Sequence, residues 1–367
     1  MDRSTSAPEP YRSPRSPERG TPTPTTASSW SRRHRDPGRK GTHMNVPMLT
    51  ANLTTAPPGA VPAVDVVADL ACKPGYTLNS WFAIGHFQAE GHTLNYLVHM
   101  MALSIKGIVV GVDAAASVTD ETTGWYGAQD TFYPIFRARA RSDRLLVETP
   151  HCLIAGTLDD LRVQARIKGA SVDVTLKAVG HPLYNRGTGR FDMLGMDVYQ
   201  YSIPAMETTG QLVIDGREFT AAGVSWFDRQ WQKQSLGPPS GRWTWMDLNL
   251  SNGWRVSLWD AVGPDGGPDA WVTVVDETGA HTVADLVPLV QDAGEYWHSR
   301  DGSRFPTRWR VRVPDLGMEL TVQAKPREQA INGLSERYEG ASTVHGMVDR
   351  KQVDGYCYVE MVGDWKA

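Results

Sequence analysis

Thr244-Trp245-Met246-Asp247-Leu248-Asn249-Leu250-Ser251-Asn252-Gly253-Trp254-Arg255-Val256-Ser257-Leu258 decides how the rest of the chain is read. Thr244, Met246, Leu248 and Leu250 alternate with Trp245, Asp247 and Asn249. Ser251-Asn252-Gly253 then supplies an Asn-Gly turn, and Trp254, Val256 and Leu258 resume the alternation. A period of two on both sides of such a turn specifies an antiparallel hairpin, because in a strand every second side chain reaches the same face. The pattern recurs outward. Leu161, Val163, Ala165 and Ile167 alternate up to Gly169-Ala170, and Val172, Val174 and Leu176 return. Further strands are predicted at 210–214, 219–226, 271–275, 309–313, 318–324 and 356–362, between Gly, Pro, Asp and Asn turns, while segments of period 3.6 are nearly absent. Short antiparallel strands repeated over about 300 residues imply an all-β protein of sandwiches or barrels, since closure removes unpaired sheet edges.

At 367 residues the chain has room for about two such units. Pro204 interrupts one ladder and Gly210 restarts the alternation, so the boundary is expected near 205/206, giving β domains at 75–205 and 206–367. Residues 51–74 are a Pro-, Ala- and Thr-rich lead-in. Residues 1–50 form a tail rich in Pro, Ser and Thr. Its first 43 residues carry nine basic against four acidic side chains and seven prolines, which predicts disorder for want of surface to bury. Met44 is an alternative point at which translation could start. Arg32-Arg33 is followed by His34-Arg35-Asp36-Pro37-Gly38 where an export signal needs an apolar run. With a net charge of −4, nucleic acid is not an expected partner. No apolar stretch is long enough to span a bilayer. Cys72, Cys152 and Cys357 form neither a disulfide framework nor a zinc pattern, and a reducing cytoplasm is the expected location.

The candidate chemistry sits among tryptophans, seven of which fall between Trp226 and Trp271. In Ser225-Trp226-Phe227-Asp228-Arg229-Gln230-Trp231 an acid, a base and an amide interrupt a ring-rich strand. Alternation puts Val224, Trp226, Asp228 and Gln230 on one face and Ser225, Phe227, Arg229 and Trp231 on the other. In the next strand Trp243, Trp245, Asp247 and Asn249 share a face opposite Thr244, Met246, Leu248 and Leu250. Apolar walls with a few placed polar groups are what a small-molecule site requires. A rim ion pair and rings covering an interdomain seam would leave the same trace. The loop His181-Pro182-Leu183-Tyr184-Asn185-Arg186-Gly187-Thr188-Gly189 is either a plain turn or the rim of the pocket mouth, with Tyr184 and Asn185 touching ligand. His86, His92 and His99 do not share strand parity, so no metal site is expected. Nucleophile elbows, Walker loops and dinucleotide fingerprints are missing, and no cofactor is expected.

The block 226–231, with Trp243-Thr244-Trp245 and the Asn252-Gly253 turn, resembles the central signature of the carotenoid 1,2-hydratase, or AttH-like, superfamily. Asn79-Ser80-Trp81-Phe82-Ala83-Ile84-Gly85-His86-Phe87 is similar to its opening strand, and Tyr338-Glu339-Gly340-Ala341 with the block 355–363 to its closing strands. The resemblance implies two packed lipocalin-like β-barrels with a lipophilic cavity between or within them. It implies reactions such as hydration of isoprenoid double bonds, hydration or dehydration of phenolic isoprenoids, and cofactor-free [4+2] cyclisation of polyenes. By motif position Asp228 becomes the catalytic acid, with Trp226 and Tyr201 beside it and Trp81, Tyr184, Asn185, Gln230, Trp243, Trp245 and Asn249 at the substrate. Arg229 stands where the motif usually has His, and a guanidinium at the carboxyl would lower its pKa. On that ground, and because folding a polyene by shape needs no conspicuous acid–base constellation, a cyclase ranks above a hydratase, with a lipophile-binding protein without catalysis third.

Overall fold

The computed structural model describes residues 53, 55–234, 241–333 and 337–366. The predicted disordered tail and the alternative start at Met44 lie outside the described residues. About two thirds of what is described is antiparallel strand, in two curled sheets within one compact unit.

Both sheets are built to one plan. In the first, a four-strand meander (Leu78–Ala89, His92–Ile105, Ile108–Asp120, Trp125–Pro134) is joined through its opening strand to Arg217–Gln232. That strand pairs with Met196–Ile214, and the sheet continues outward through Ala170–Ala178 and Asp160–Ile167. In the second, Arg242–Leu250 opens a meander through Arg255–Val262 and Pro268–Val275 and is joined to the closing strand Lys351–Gly363, itself paired with Arg337–Val348. The decisive hairpin forms as predicted. Leu248 pairs with Val256, Asn249 with Arg255, and Gly253 takes the left-handed φ of +89° that the turn requires.

The change of sheet falls between Gln232 and Arg242, not at 205/206. Pro204 does disturb the ladder, but as a register shift between Ile203 and Met206 inside one continuous strand, and that strand stays in the first sheet. Bulges are how a long strand absorbs such a residue without ending.

Each half-barrel has an apolar core, and the second also holds a cavity of about 170 Å³ among Thr244, Asp260, Leu289 and Trp309. Phe227, Trp231, Val163 and Leu176 belong to the first core, and Met246, Leu248, Val256 and Leu258 to the second. The lead-in is part of the first core: Val64, Val66, Leu70 and Cys72 are buried in it. The outer faces of the two sheets meet in a third cluster, in which Phe82, Ile84 and Trp226 pack against Trp245, Trp259 and Trp271. Trp226 and Trp245 lie edge to face with centroids 6.3 Å apart, and Trp259 stacks on Trp271 at 5.9 Å.

Candidate functional site

Where the two outer faces part, a cavity of about 820 Å³ opens on the seam. The first sheet contributes Ser80, Phe82, His99, Asp113, Gln200, Asp228 and Gln230 to its wall, and the second Trp243, Trp245, Trp259, Arg337 and Glu360. Strand parity explains the selection. Asp228 pairs with Phe82 on one side and Ser202 on the other, so a row of neighbouring strands presents its side chains to the same space.

Asp228 is only 5% exposed. Trp226 Nε1 donates to its Oδ1 at 2.6 Å and Gln200 Nε2 to its Oδ2 at 2.9 Å. Burial nevertheless dominates and pushes the carboxyl up to about 7 from its ordinary 3.8. Arg229, one residue on, has no part in this. It points into the first half-barrel, where its guanidinium donates to the carbonyls of Asp69, Ala71, Ser80 and Gln230 and to Asn79 Oδ1. It also stacks over Trp81 at 4.4 Å. The expectation that Arg229 depresses the acid is corrected: adjacent residues in a strand face opposite ways.

The far wall carries a second group of acids. Glu339 and Glu360 are cross-strand partners. Trp243 Nε1 donates to Glu360 Oε1 at 2.8 Å, and Arg337 Nε donates to Glu339 Oε1 at 3.1 Å. Arg337 also holds Asp130 Oδ2 at 2.7 Å. His99 Nε2 lies 2.8 Å from Ser80 Oγ, while its Nδ1 is 3.8 Å from Glu339 Oε1 and has no hydrogen-bond partner. Burial raises both glutamic acids and pushes His99 down to about 4, so the imidazole is neutral at pH 7. Ligand-type atoms of His99, Glu339 and Glu360 come within 4.8 Å of one another. Arg337 already supplies a cation to that group, which makes it an ion-pair network.

Of the residues expected at the site, Asp228, Gln230, Trp243 and Trp245 line the cavity, and Trp226 adjoins it through its bond to Asp228. The others lie elsewhere. Tyr201 and Trp81 face the first core and fasten the lead-in, Tyr201 donating to Val66 O and Trp81 to Leu70 O, each by its own polar hydrogen. Tyr184 and Asn185 dock at the seam away from the cavity, where the Tyr184 amide donates to His281 Nε2. Asn249 donates to Asp247 Oδ2 and lines a separate small hollow with His86 and Tyr356. Sequence reasoning did not find Gln200, His99, Arg337, Glu339 or Glu360. Their shared position depends on strand register, though Glu339 and Glu360 both stand in the blocks that resemble the family's closing strands.

Two curled antiparallel sheets packed outer face to outer face over a ring-walled cavity define the class of molecule. The chain belongs to the AttH-like family, whose profile matches residues 60–364. It is similar to the dehydratase asqC of Emericella nidulans, 27% identical over 55% of this chain and 61% of that one. It is also similar to the kievitone hydratase of Fusarium solani subsp. phaseoli, 24% identical over 59% of this chain and 63% of that one. The matched segments thus span about three fifths of these relatives' lengths. The crystal structure of kievitone hydratase from Nectria haematococca superposes with a TM-score of 0.71 at 22% identity, over 87% of this chain and 98% of that one, and shares the fold. Among the described residues no helix is long and apolar enough to cross a membrane.

Proposed function

We propose that this chain is an enzyme that adds water to, or removes it from, an isoprenoid carbon–carbon double bond of a lipophilic small molecule, with Asp228 as the acid. The single observation that carries this reading is Asp228 buried in the wall of the cavity, where burial raises its carboxyl to about 7. Hydrating an alkene begins with proton transfer to carbon, which needs a neutral carboxylic acid in an apolar site. The cation that follows needs nearby electron-rich faces, and Phe82, Trp245 and Trp259 supply them. Elimination is the same path reversed, so one site serves both directions. The names of the two sequence relatives, a dehydratase and a hydratase, support this choice of reaction class.

One ground for placing cyclisation first, the effect of Arg229 on Asp228, does not hold, because Arg229 points into the first half-barrel. Cyclisation of a polyene stays as a second reading on one observation, the cavity volume of about 820 Å³, enough to fold a flexible chain. The test is to incubate the full chain with ortho-prenylphenol in water labelled with heavy oxygen. A product heavier by one labelled water, lost in Asp228→Asn, is the expected result. A product isomeric with its substrate from a polyene probe would favour the cyclase, and return of every probe unaltered would leave a binding protein. Turnover surviving in Asp228→Asn would refute the role of that acid.

A further inference from the structure

Addition of water moves two protons. One goes to carbon; the other must leave the attacking water. Asp228 accounts for the first. On the rest of the first sheet's wall Gln200 and Gln230 do not titrate, the carboxyl of Asp113 is tied into the charged group of Asp130 and Arg337, and His99 is bonded to Ser80 through Nε2 with its Nδ1 turned to Glu339 on the second sheet. The second sheet faces the same space with Glu360. Its carboxyl is half-buried and open to the cavity, held by Trp243 Nε1 at 2.8 Å, with Glu339 directly across the strand pair and wholly buried behind it. Glu339 is anchored by Arg337 yet keeps one oxygen, Oε2, without a partner.

We infer that Glu360, backed by Glu339, is a second catalytic acid–base group of this cavity, taking the proton from the water that adds and returning it in the reverse direction. The inference rests on the hydratase–dehydratase reading and deepens it. In the forward direction the π pair of the alkene forms a C–H bond with the Asp228 proton. A lone pair of water then forms the C–O bond to the cation, and the oxonium loses a proton to the Glu360 carboxylate. Glu360 releases that proton to solvent and Asp228 takes one up, so the sum is alkene plus water to alcohol.

Several groups set the charge of Glu360. Glu339 and Arg337 face it from its neighbouring strand, His99 from His92–Ile105, and Trp243 from Arg242–Leu250. Asp113 and Asp130 lie behind Arg337, and Asp228 lies across the cavity. Burial comes first among the causes and Glu339 second, and together they raise Glu360 to about 7. At neutral pH part of the population then carries one proton on the pair, the state in which Glu360 can both accept and donate.

Two measurements decide the matter. The indole N–H of Trp243, assigned by Trp243→Phe in nitrogen-labelled full-length protein, should titrate with a midpoint near 7, and the step should vanish in Glu360→Gln. With ortho-prenylphenol, Glu360→Gln should lower kcat by about 100-fold or more with little change in KM. It should also remove the fall in kcat that accompanies protonation of the base at low pH. Glu360→Asp should restore that limb with reduced kcat, which a merely structural role would not do. The inference is overturned if kcat and the acid limb survive in Glu360→Gln, or if the indole does not titrate. Failure of the underlying reading looks different: no labelled water enters the product of the wild type, or turnover survives in Asp228→Asn.

Discussion

If Asp228 is held neutral by burial, its protonation must be written into the stability of the protein, and Asp228→Asn isolates that term. The folded chain keeps the proton up to about pH 7, whereas the unfolded chain releases it near 3.8. Between those values the native state binds more protons, so stability falls as pH rises, and it is fully present only below the unfolded value. The interval from 3.8 to about 7 converts, at about 1.36 kcal/mol for each pH unit, to about 4 kcal/mol. The substitution keeps the shape and most of the bonding. Trp226 Nε1 can still donate to the side-chain oxygen. Gln200, whose Oε1 is buried without a partner, can turn its amide to accept from the new nitrogen. What is lost is the ionisation.

The assay is urea unfolding of both proteins at pH 4, 5, 6, 7 and 8, with the linear slope m compared throughout. Asp113, Asp247, Asp260, Glu339 and Glu360 are also raised by burial, so both curves decline with pH. Their difference cancels those shared terms. We expect the variant to gain about 3 to 4 kcal/mol on the wild type between pH 4 and pH 8, most of it before pH 7. A difference constant to within about 1 kcal/mol over that range would mean that Asp228 ionises normally in the folded protein. The proposed proton transfer to carbon would then lose its acid.

Arg229→Leu should cost about 3 kcal/mol or more in urea unfolding, because it strips donors from several buried carbonyls and releases the lead-in; the pH dependence assigned to Asp228 should persist in that background. Arg337→Met leaves Asp130 and Glu339 buried without their cation and should cost about 3 to 5 kcal/mol at pH 7, less at pH 5, where the abandoned Glu339, already raised by burial, can take up a proton. Gly85→Ala places a methyl group 2.3 Å from the Tyr96 ring and 2.7 Å from Ser225 Oγ, and should destabilise by about 1 to 3 kcal/mol, read as a lower urea midpoint at unchanged m.

How far the site could be read from the sequence follows the reach of its arguments. Alternation alone separated Trp226, Asp228 and Gln230 from Phe227, Arg229 and Trp231, and Trp243 and Trp245 from Met246 and Leu248; the cores divide along those lines. The error over Arg229 came from setting nearness in sequence above that same parity. Tyr201, set beside Asp228 by the resemblance, pairs with Arg229 and shares its face, while the neighbouring Gln200 reaches Asp228. Trp81 also pairs with Arg229. Glu360, Glu339 and His99 fall outside any such local rule. They meet because the closing strand returns to pair with the strand that opens its sheet, and because the two sheets then face each other, neither of which a single strand's pattern encodes.

That topology also explains why the cavity lies between the half-barrels and not inside them. A lipocalin-like barrel that holds its guest internally must leave its interior open, yet both cores here are built of aliphatic and aromatic side chains, and the second leaves only about 170 Å³ against about 820 Å³ on the seam. The outer faces, normally polar, must then be apolar where the sheets touch, and large rings meet that need. Two curved surfaces cannot touch everywhere, so a gap is left beside the contact, walled by those rings and dry enough to raise any acid within it. Each sheet brings its own acid to the gap, Asp228 from one and Glu360 from the other. A site of this kind depends on the angle at which the sheets pack. Substitutions at the Trp226–Trp245 contact should therefore alter the spacing of the two acids, and with it turnover, before they unfold either core.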